Sequence, residues 1–303
     1  MPNWNELQEE IAKAGNIHDR IRQKYLKDLH DITGRNVILY YSGWLQQEHL
    51  GHGSSLYAIS ESDKTGFMSA LNGVDKAKGL DLILHTPGGS VSDTESLVSY
   101  LLNFFDRDIR VIVPQIAQSA GTMIALASKE IVMGRQSRLG PIDPQVGGMS
   151  AQHVVQEFHR AEEAIREDPN GRGVLWRDIV VKRYPPTFYD ICQRALEWSE
   201  EIVVDWLVKG MLSDSDNADG EASAIAEELS DVTKNKAHDR PIDAEKMEEL
   251  GACITNLEED QSLQDAVLTV HHATIQTLAA YPVSKIIENH EGVTTTFGIR
   301  EQD

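Results

Sequence analysis

From Leu82 to Leu102 the chain reads LILHTPGGSVSDTESLVSYLL, from Arg110 to Gly134 RVIVPQIAQSAGTMIALASKEIVMG, and from Ser137 to Gln145 SRLGPIDPQ. Two apolar, strand-like runs each end where a helix begins. The first junction is Pro87-Gly88-Gly89-Ser90 and the second is Gln118-Ser119-Ala120-Gly121-Thr122. Glycine lets the backbone turn sharply there and approach a ligand closely. Amides at a helix N-terminus have no intrahelical acceptor, so they are available to an oxyanion. A serine beside such amides is placed as a nucleophile, and the two junctions together point to acyl transfer, with peptide hydrolysis as the expected reaction.

Strands are expected over Leu82–His85, Val111–Pro114 and Glu130–Met133, with helices over Val91–Phe105 and Ser119–Ser128. This alternation implies a parallel sheet with crossover helices. Upstream, Leu7, Ile11, Ala14, Ile17, Ile21, Tyr25, Leu29 and Ile32 recur at spacings of three and four, the mark of an amphipathic helix or of two broken near Gly15, with Gly34 as a stop. Val37–Tyr41 reads as a buried strand, Trp44–Leu56 as a loop and Glu61–Asn72 as a helix. Downstream of Gly140 the chain turns mainly helical, over Ala151–Arg166, Pro186–Leu207, Ala222–Asn235, Ala244–Leu250 and Leu263–Ala279. A strand is expected at Ala252–Ile254, and two strands joined around His290-Glu291-Gly292 in the tail. The expected organisation is an N-terminal helical extension (1–33), one α/β domain (34–285) and a C-terminal hairpin tail (286–303).

Composition narrows the function. Among 303 residues, 48 are acidic and 28 basic, for a net charge of −20. A nucleic-acid or anionic-membrane surface needs a basic face, so neither partner is expected. The apolar runs are too short for a membrane span, and the polar, acidic MPNWNELQEEIAKAG does not read as a signal peptide. Two cysteines, Cys192 and Cys253, match no metal or disulfide framework and fit a reducing, cytoplasmic setting. The Asp-rich stretch Ser213–Gly220 lacks the ligand spacing of a calcium loop. No metal and no cofactor are expected.

Ser119 is the leading nucleophile, and the competing reading is an ordinary N-cap serine. The Pro87-Gly88-Gly89 turn is the leading oxyanion element, with the amides of Gly89 and Ala120 as donors. Its competing readings are a plain tight turn or a phosphate loop, and the latter lacks the P-loop lysine. One lost oxyanion donor typically costs about 3–4 kcal/mol of transition-state stabilisation.

The segment from Asp81 to Gln145 resembles the Clp peptidase/crotonase fold. Within that fold, HTPGGSVSDTESLVSYL, QSAGTMIALA and LGPIDPQ, in that order, look most like the serine dehydrogenase proteinase family, relatives of signal peptide peptidase A. HDRPIDAEKMEELGACI (His238–Ile254) extends the match more weakly. The resemblance implies a spiral of β-β-α units, a serine nucleophile and a closed homo-oligomer. Ser119 matches the Clp nucleophile and Asp239 the triad acid, while Asp143 falls where the Clp histidine belongs. The chain thus lacks that histidine.

Signal peptide peptidase relatives use a lysine base, for which Lys182 is the nearest equivalent. Its other reading is an exposed helix end. Arg194 is excluded because guanidinium keeps its proton. His238 is a second candidate base, although adjacent side chains in an extended segment point apart, so Asp239 would not orient it directly. His85 reads as a strand-end histidine. The pairs His153/His159 and His271/His272 have poor spacing for a shared site.

Three functions compete: a serine peptidase acting on peptide or protein substrates, a catalytically inactive Clp-like scaffold or regulatory subunit, and a crotonase-like acyl-CoA enzyme. The last calls for a basic CoA pocket that this acidic chain does not advertise. No ATPase motif is present, so energy-dependent unfolding would need a separate unfoldase or adaptor. A homo-oligomer is expected through the N-terminal helices and Pro186–Leu207, with residues 1–33 dispensable for folding of the α/β core.

Overall fold

The computed structural model describes residues 18–47, 54–235 and 237–299. The expected N-terminal helical residues Leu7, Ile11, Ala14 and Ile17 lie outside them.

The core strands are β1 (Asn36–Ser42), β2 (Leu80–His85), β3 (Ile109–Val113) and β5 (Glu130–Met133). Every residue of β1 and β2 is buried. Strands covered on both faces read as near-continuous apolar runs, which is how VILYY and LILH appear in the sequence. The main sheet, among the described residues, runs β11-β10-β1-β2-β3-β5-β9, where β9 is Ile254–Asn256, β10 Val283–Asn289 and β11 Thr294–Gly298. The strands from β1 to β9 pair in parallel, and β10 and β11 add antiparallel at one edge.

Alternate side chains feed two cores. Ile38, Tyr40, Leu82, Leu84, Val111 and Val113 face one side. That side is covered by α2 (Glu61–Ala70), α3 (Val91–Phe104), α4 (Ala120–Leu126), α7 (Phe188–Lys209) and α8 (Ala218–Ser230). Val37, Leu39, Tyr41, Ile83, Ile112 and Val132 face the other, against α1 (His18–Thr33) and α11 (Gln261–Ala280). The result is a three-layer α/β architecture. Helix α1 is part of it: Leu26 and Leu29 are fully buried, and Arg22 is buried in an ion pair with Glu288 of β10, with a second bond to Thr277 of α11 at 3.1 Å. The amide of Gly34, at φ +69°, donates to His30 O and ends the helix where expected.

Each core strand continues into a short second pairing before its helix. Ile59 bridges Gly89, Thr86 bridges Ala117, and β4 (Ile116–Ala117) pairs with β6 (Arg138–Leu139), which bridges Ile242. This repeated strand, short strand and helix is the β-β-α unit that the resemblance implied. The second layer stands directly over the two glycine junctions.

Several elements differ from the sequence reading. The tail strands do form a hairpin, with Asn289 Oδ1 accepting from the amides of Glu291 and Val293. However, β10 starts before residue 286 and pairs with β1 along its length, so the residues assigned to a tail complete the main sheet. The helix expected at Ala222–Asn235 is two, broken at Asp231, whose side chain accepts from Thr233 and thereby competes with helical pairing. Helix α6 (Arg172–Arg183) was not expected; it packs beside α5 (Ala151–Glu167) and ends before Pro185-Pro186. Strand β9 lies two residues beyond its expected position. Among the described residues no helix is long and apolar enough to cross a membrane.

Candidate active site

The two junctions lie side by side. Thr86 N–H donates to Ile116 O at 3.1 Å and Gln118 N–H to Thr86 O at 3.1 Å, locking the end of β2 to the segment that leads into α4. Small residues make this approach feasible. A Cβ on Gly121 would lie 2.5 Å from Thr86 Cγ2, and one on Gly88 would lie 2.8 Å from Ser119 Cβ. Gly88 also sits at φ +97°. Both requirements exclude a side chain there.

Ser119 has φ +52° and ψ −119°, an uncommon conformation for a residue other than glycine. Backbone strain of this kind collects at functional sites and costs of order 1–3 kcal/mol. The other junction offers a direct contrast. Ser90 caps α3 by accepting from the Asp93 amide at 3.2 Å, whereas Ser119 makes no such bond to α4. Its hydroxyl is therefore not spent on capping, which removes the structural explanation for a serine at this position.

Across from this turn, Ile59 N–H donates to Gly88 O at 2.8 Å and Ser90 N–H to Ile59 O at 3.1 Å. This parallel bridge occupies one side of the glycine turn, and the Gly89 amide lies on the other. Among the described residues, neither the Gly89 nor the Ala120 amide donates to a backbone acceptor. Gly88, Gly89 and Ser119 line one open cleft of about 550 Å³, together with Met123, Ile142, Val146 and Trp198.

His238 lines the same cleft. The chain returns it there through a pair of bonds between Leu139 and Ile242, at 2.8 and 3.0 Å. Its Nδ1 lies 2.6 Å from Oδ1 of Asp143. Asp143 is buried, and its second oxygen accepts from Gln145 Nε2 at 2.8 Å. The Asp143 segment is itself fixed: Thr122 Oγ1 in α4 exchanges hydrogen bonds with Gly140, at 2.9 and 3.0 Å, and the Ile142 amide donates to Leu229 O. A carboxylate can only accept, so whenever the imidazole is neutral this contact places its proton on Nδ1 and leaves Nε2 as the acceptor.

Of the residues singled out in sequence, the fold brings Gly88, Gly89, Ser119, Ala120, Asp143 and His238 to this region. Two are not brought there. Asp239 occupies an exposed turn and does not line the cleft; its neighbour His238 does. Lys182 is 75% exposed on α6, paired with Asp178 at 2.7 Å, and is likewise absent from the cleft wall. Sequence reasoning missed Gln145 and Thr122. The QSAGT and PIDPQ motifs contain both, but only the fold shows what their side chains hold.

Elsewhere, His85 is fully buried between Trp44 and His271, and burial together with His271 holds its imidazole well below the usual range. His271 is pushed down to about 3 by burial and by His272. No group of three or more metal-ligating side chains occurs among the described residues.

The family model of ClpP-like SDH-type serine proteinases matches residues 12–267. Two proteins of Methanocaldococcus jannaschii are similar to this chain. Uncharacterized protein MJ1495 is 30% identical over 193 residues, which cover 64% of this chain and 58% of the relative. Uncharacterized protein MJ0137 is 30% identical over 244 residues, covering 79% of this chain and 75% of the relative.

Proposed function

The chain belongs to the family of ClpP-like SDH-type serine proteinases, and on that premise we propose that it hydrolyses peptide bonds with Ser119 as nucleophile, His238 as general base and Asp143 as the group that orients the base. The observation carrying this reading is the 2.6 Å contact between His238 Nδ1 and the buried Asp143 carboxylate, in a histidine that shares a cleft wall with Ser119. Relative to the Clp pattern, acid and base have exchanged places: the segment that holds the Clp histidine carries the acid, and the segment of the Clp acid carries the base. A triad is defined by geometry and roles, not by order in the chain.

The chemistry follows. His238 Nε2 takes the proton from Ser119 Oγ as that oxygen bonds to the scissile carbonyl carbon. The carbonyl oxygen becomes an oxyanion held by the Gly89 and Ala120 amides. The tetrahedral intermediate collapses, the C–N bond breaks, and His238 gives its proton to the leaving amine. Water then enters, losing a proton to His238, and attacks the acyl ester, and His238 reprotonates Ser119 as the acid product departs. Asp143 keeps its charge throughout and stabilises the imidazolium.

Substrates are peptide or protein segments. The working form is a homo-oligomer, and folded substrates are delivered by a separate unfoldase or adaptor. A fluorophosphonate probe tests the core of this reading. Labelling of the wild type that disappears in Ser119→Ala and in His238→Ala supports it. Labelling that persists in Ser119→Ala, or its absence from every oligomeric state, overturns it.

A further inference from the structure

Lys285 is almost fully buried, yet it lies on β10, outside the cleft wall. Burying an ammonium is costly unless it is paired and fully hydrogen-bonded. Its Nζ lies 2.5 Å from Oδ1 of the buried Asp63, 3.0 Å from the carbonyl oxygen of Ala58 and 3.1 Å from Ser60 Oγ, and stacks 4.9 Å over the Phe297 ring. Asp63 in turn accepts from the Ser60 amide and from Tyr40 Oη, both at 2.8 Å.

These contacts converge on three consecutive residues. Ala58 and Ser60 are gripped from below, and Ile59 between them forms the bridge that occupies Gly88 O and Ser90 N–H. The fit is close: a Cβ on Gly89 would lie 2.2 Å from Ile59 N. The direction of the Gly89 amide is thus set by Ile59, and the position of Ile59 by Lys285 and Asp63.

We infer that the buried Lys285–Asp63 pair is a positioning device for the oxyanion donor Gly89, acting through the Ala58–Ser60 segment. The inference rests on the peptidase reading above. Lys285 touches no reacting atom. It fixes a backbone amide that must already point at the oxyanion when charge develops, because a donor that has to move gives up preorganisation.

The test compares hydrolysis of N-acetylphenylalanine methyl ester with that of its thionoester, in which sulfur replaces the carbonyl oxygen. Sulfur is a poor acceptor, so the ester-to-thionoester ratio of kcat/KM reports on the oxyanion donors. Lys285→Met alone leaves Asp63 as a lone buried charge and risks misfolding, so the variants are Lys285→Met combined with Asp63→Asn, and separately Ser60→Ala. Both are expected to lower kcat on the ester about tenfold or more, approaching the roughly 10²–10³ of a lost donor, with KM near that of the wild type. The ester-to-thionoester ratio should fall toward one. Should the double variant not fold, Ser60→Ala alone decides. Folded variants that keep the wild-type ratio overturn the assignment while leaving the peptidase reading intact. Wild-type ester hydrolysis no faster than that of Ser119→Ala brings down the peptidase reading, and this assignment with it.

Discussion

His238 Nδ1 lies 2.6 Å from Asp143 Oδ1, although 95 residues separate them in the chain. Asp239 stands next to His238 in sequence and makes no comparable contact among the described residues. In a turn, adjacent side chains diverge, whereas a distant carboxylate brought in by a second-layer bridge can meet the ring edge-on. On the proposed reading, this pairing takes the place of a histidine at the Clp position.

Replacing the acid by its amide tests the pairing. Asp143→Asn removes the acceptor that fixes the Nδ1–H tautomer, and kcat should fall by about 10⁴, as when a triad acid is replaced elsewhere. Asp239→Asn should leave kcat within about twofold. Steady-state kinetics on one peptide ester reads both.

Groups that act as a unit are not additive. Ser119→Ala and His238→Ala should each abolish most of the activity, and the double variant should be no slower than the worse single. A double variant slower by a further factor of 100 would place His238 outside the nucleophile's mechanism. Residual rates in a stopped assay at high enzyme concentration measure this.

Gly89→Ala should reduce kcat by about 10²–10³, the loss of one oxyanion donor. The added Cβ would lie 2.2 Å from Ile59 N, so the bridge between the two segments must shift to admit it. The helix content by circular dichroism should stay that of the wild type, because Gly89 precedes α3 and its Ser90 cap.

Stability should fall with acid. His271 has its folded-state pKa lowered to about 3 by burial and by His272, against about 6.5 unfolded. Between those values the unfolded chain binds a proton that the native chain does not, so stability rises with pH across this window. The contribution is complete above pH 6.5 and is lost as pH falls toward 3. At pH 4.5 the loss from His271 is about 2–3 kcal/mol, at 1.36 kcal/mol per pKa unit. The buried His85 is shifted in the same direction and adds to it. Urea midpoints at pH 7.5 and 4.5 should differ accordingly, and His271→Gln should flatten the dependence.

Removing residues 18–33 should unfold the core, because α1 is packed into it. Starting the chain at Gly34 uncovers Val37, Leu39 and Tyr41 on one face of the sheet and leaves Glu288 without Arg22. Removing one partner of a buried pair alone costs about 3–5 kcal/mol. The truncated chain should therefore be molten or aggregated by near-ultraviolet circular dichroism and light scattering. A truncated chain with a native cooperative melt would restore the reading of this helix as dispensable.

The sequence by itself determined the parallel core and the two glycine junctions. VILYY, LILH and RVIV are strands because both faces are buried, and PGG and SAG mark sharp turns because no side chain fits beside them; such information is local. It also supplied Ser119 and Gly89 as one site and His238 and Lys182 as candidate bases, while the family resemblance added Asp143 and Asp239. It did not pair Asp143 with His238: their meeting depends on the Leu139–Ile242 bridge, and nothing in either segment's periodicity reveals a partner on the other. The same holds for the C-terminal strands, legible as a hairpin but assigned to a tail, because their place beside β1 is decided by pairing with a strand some 250 residues away in the chain. It holds for Lys285 as well. Nothing in SKIIEN marks its lysine for burial, and only the tertiary structure, by surrounding it with Asp63, Ala58 and Ser60, offsets the cost of burying it.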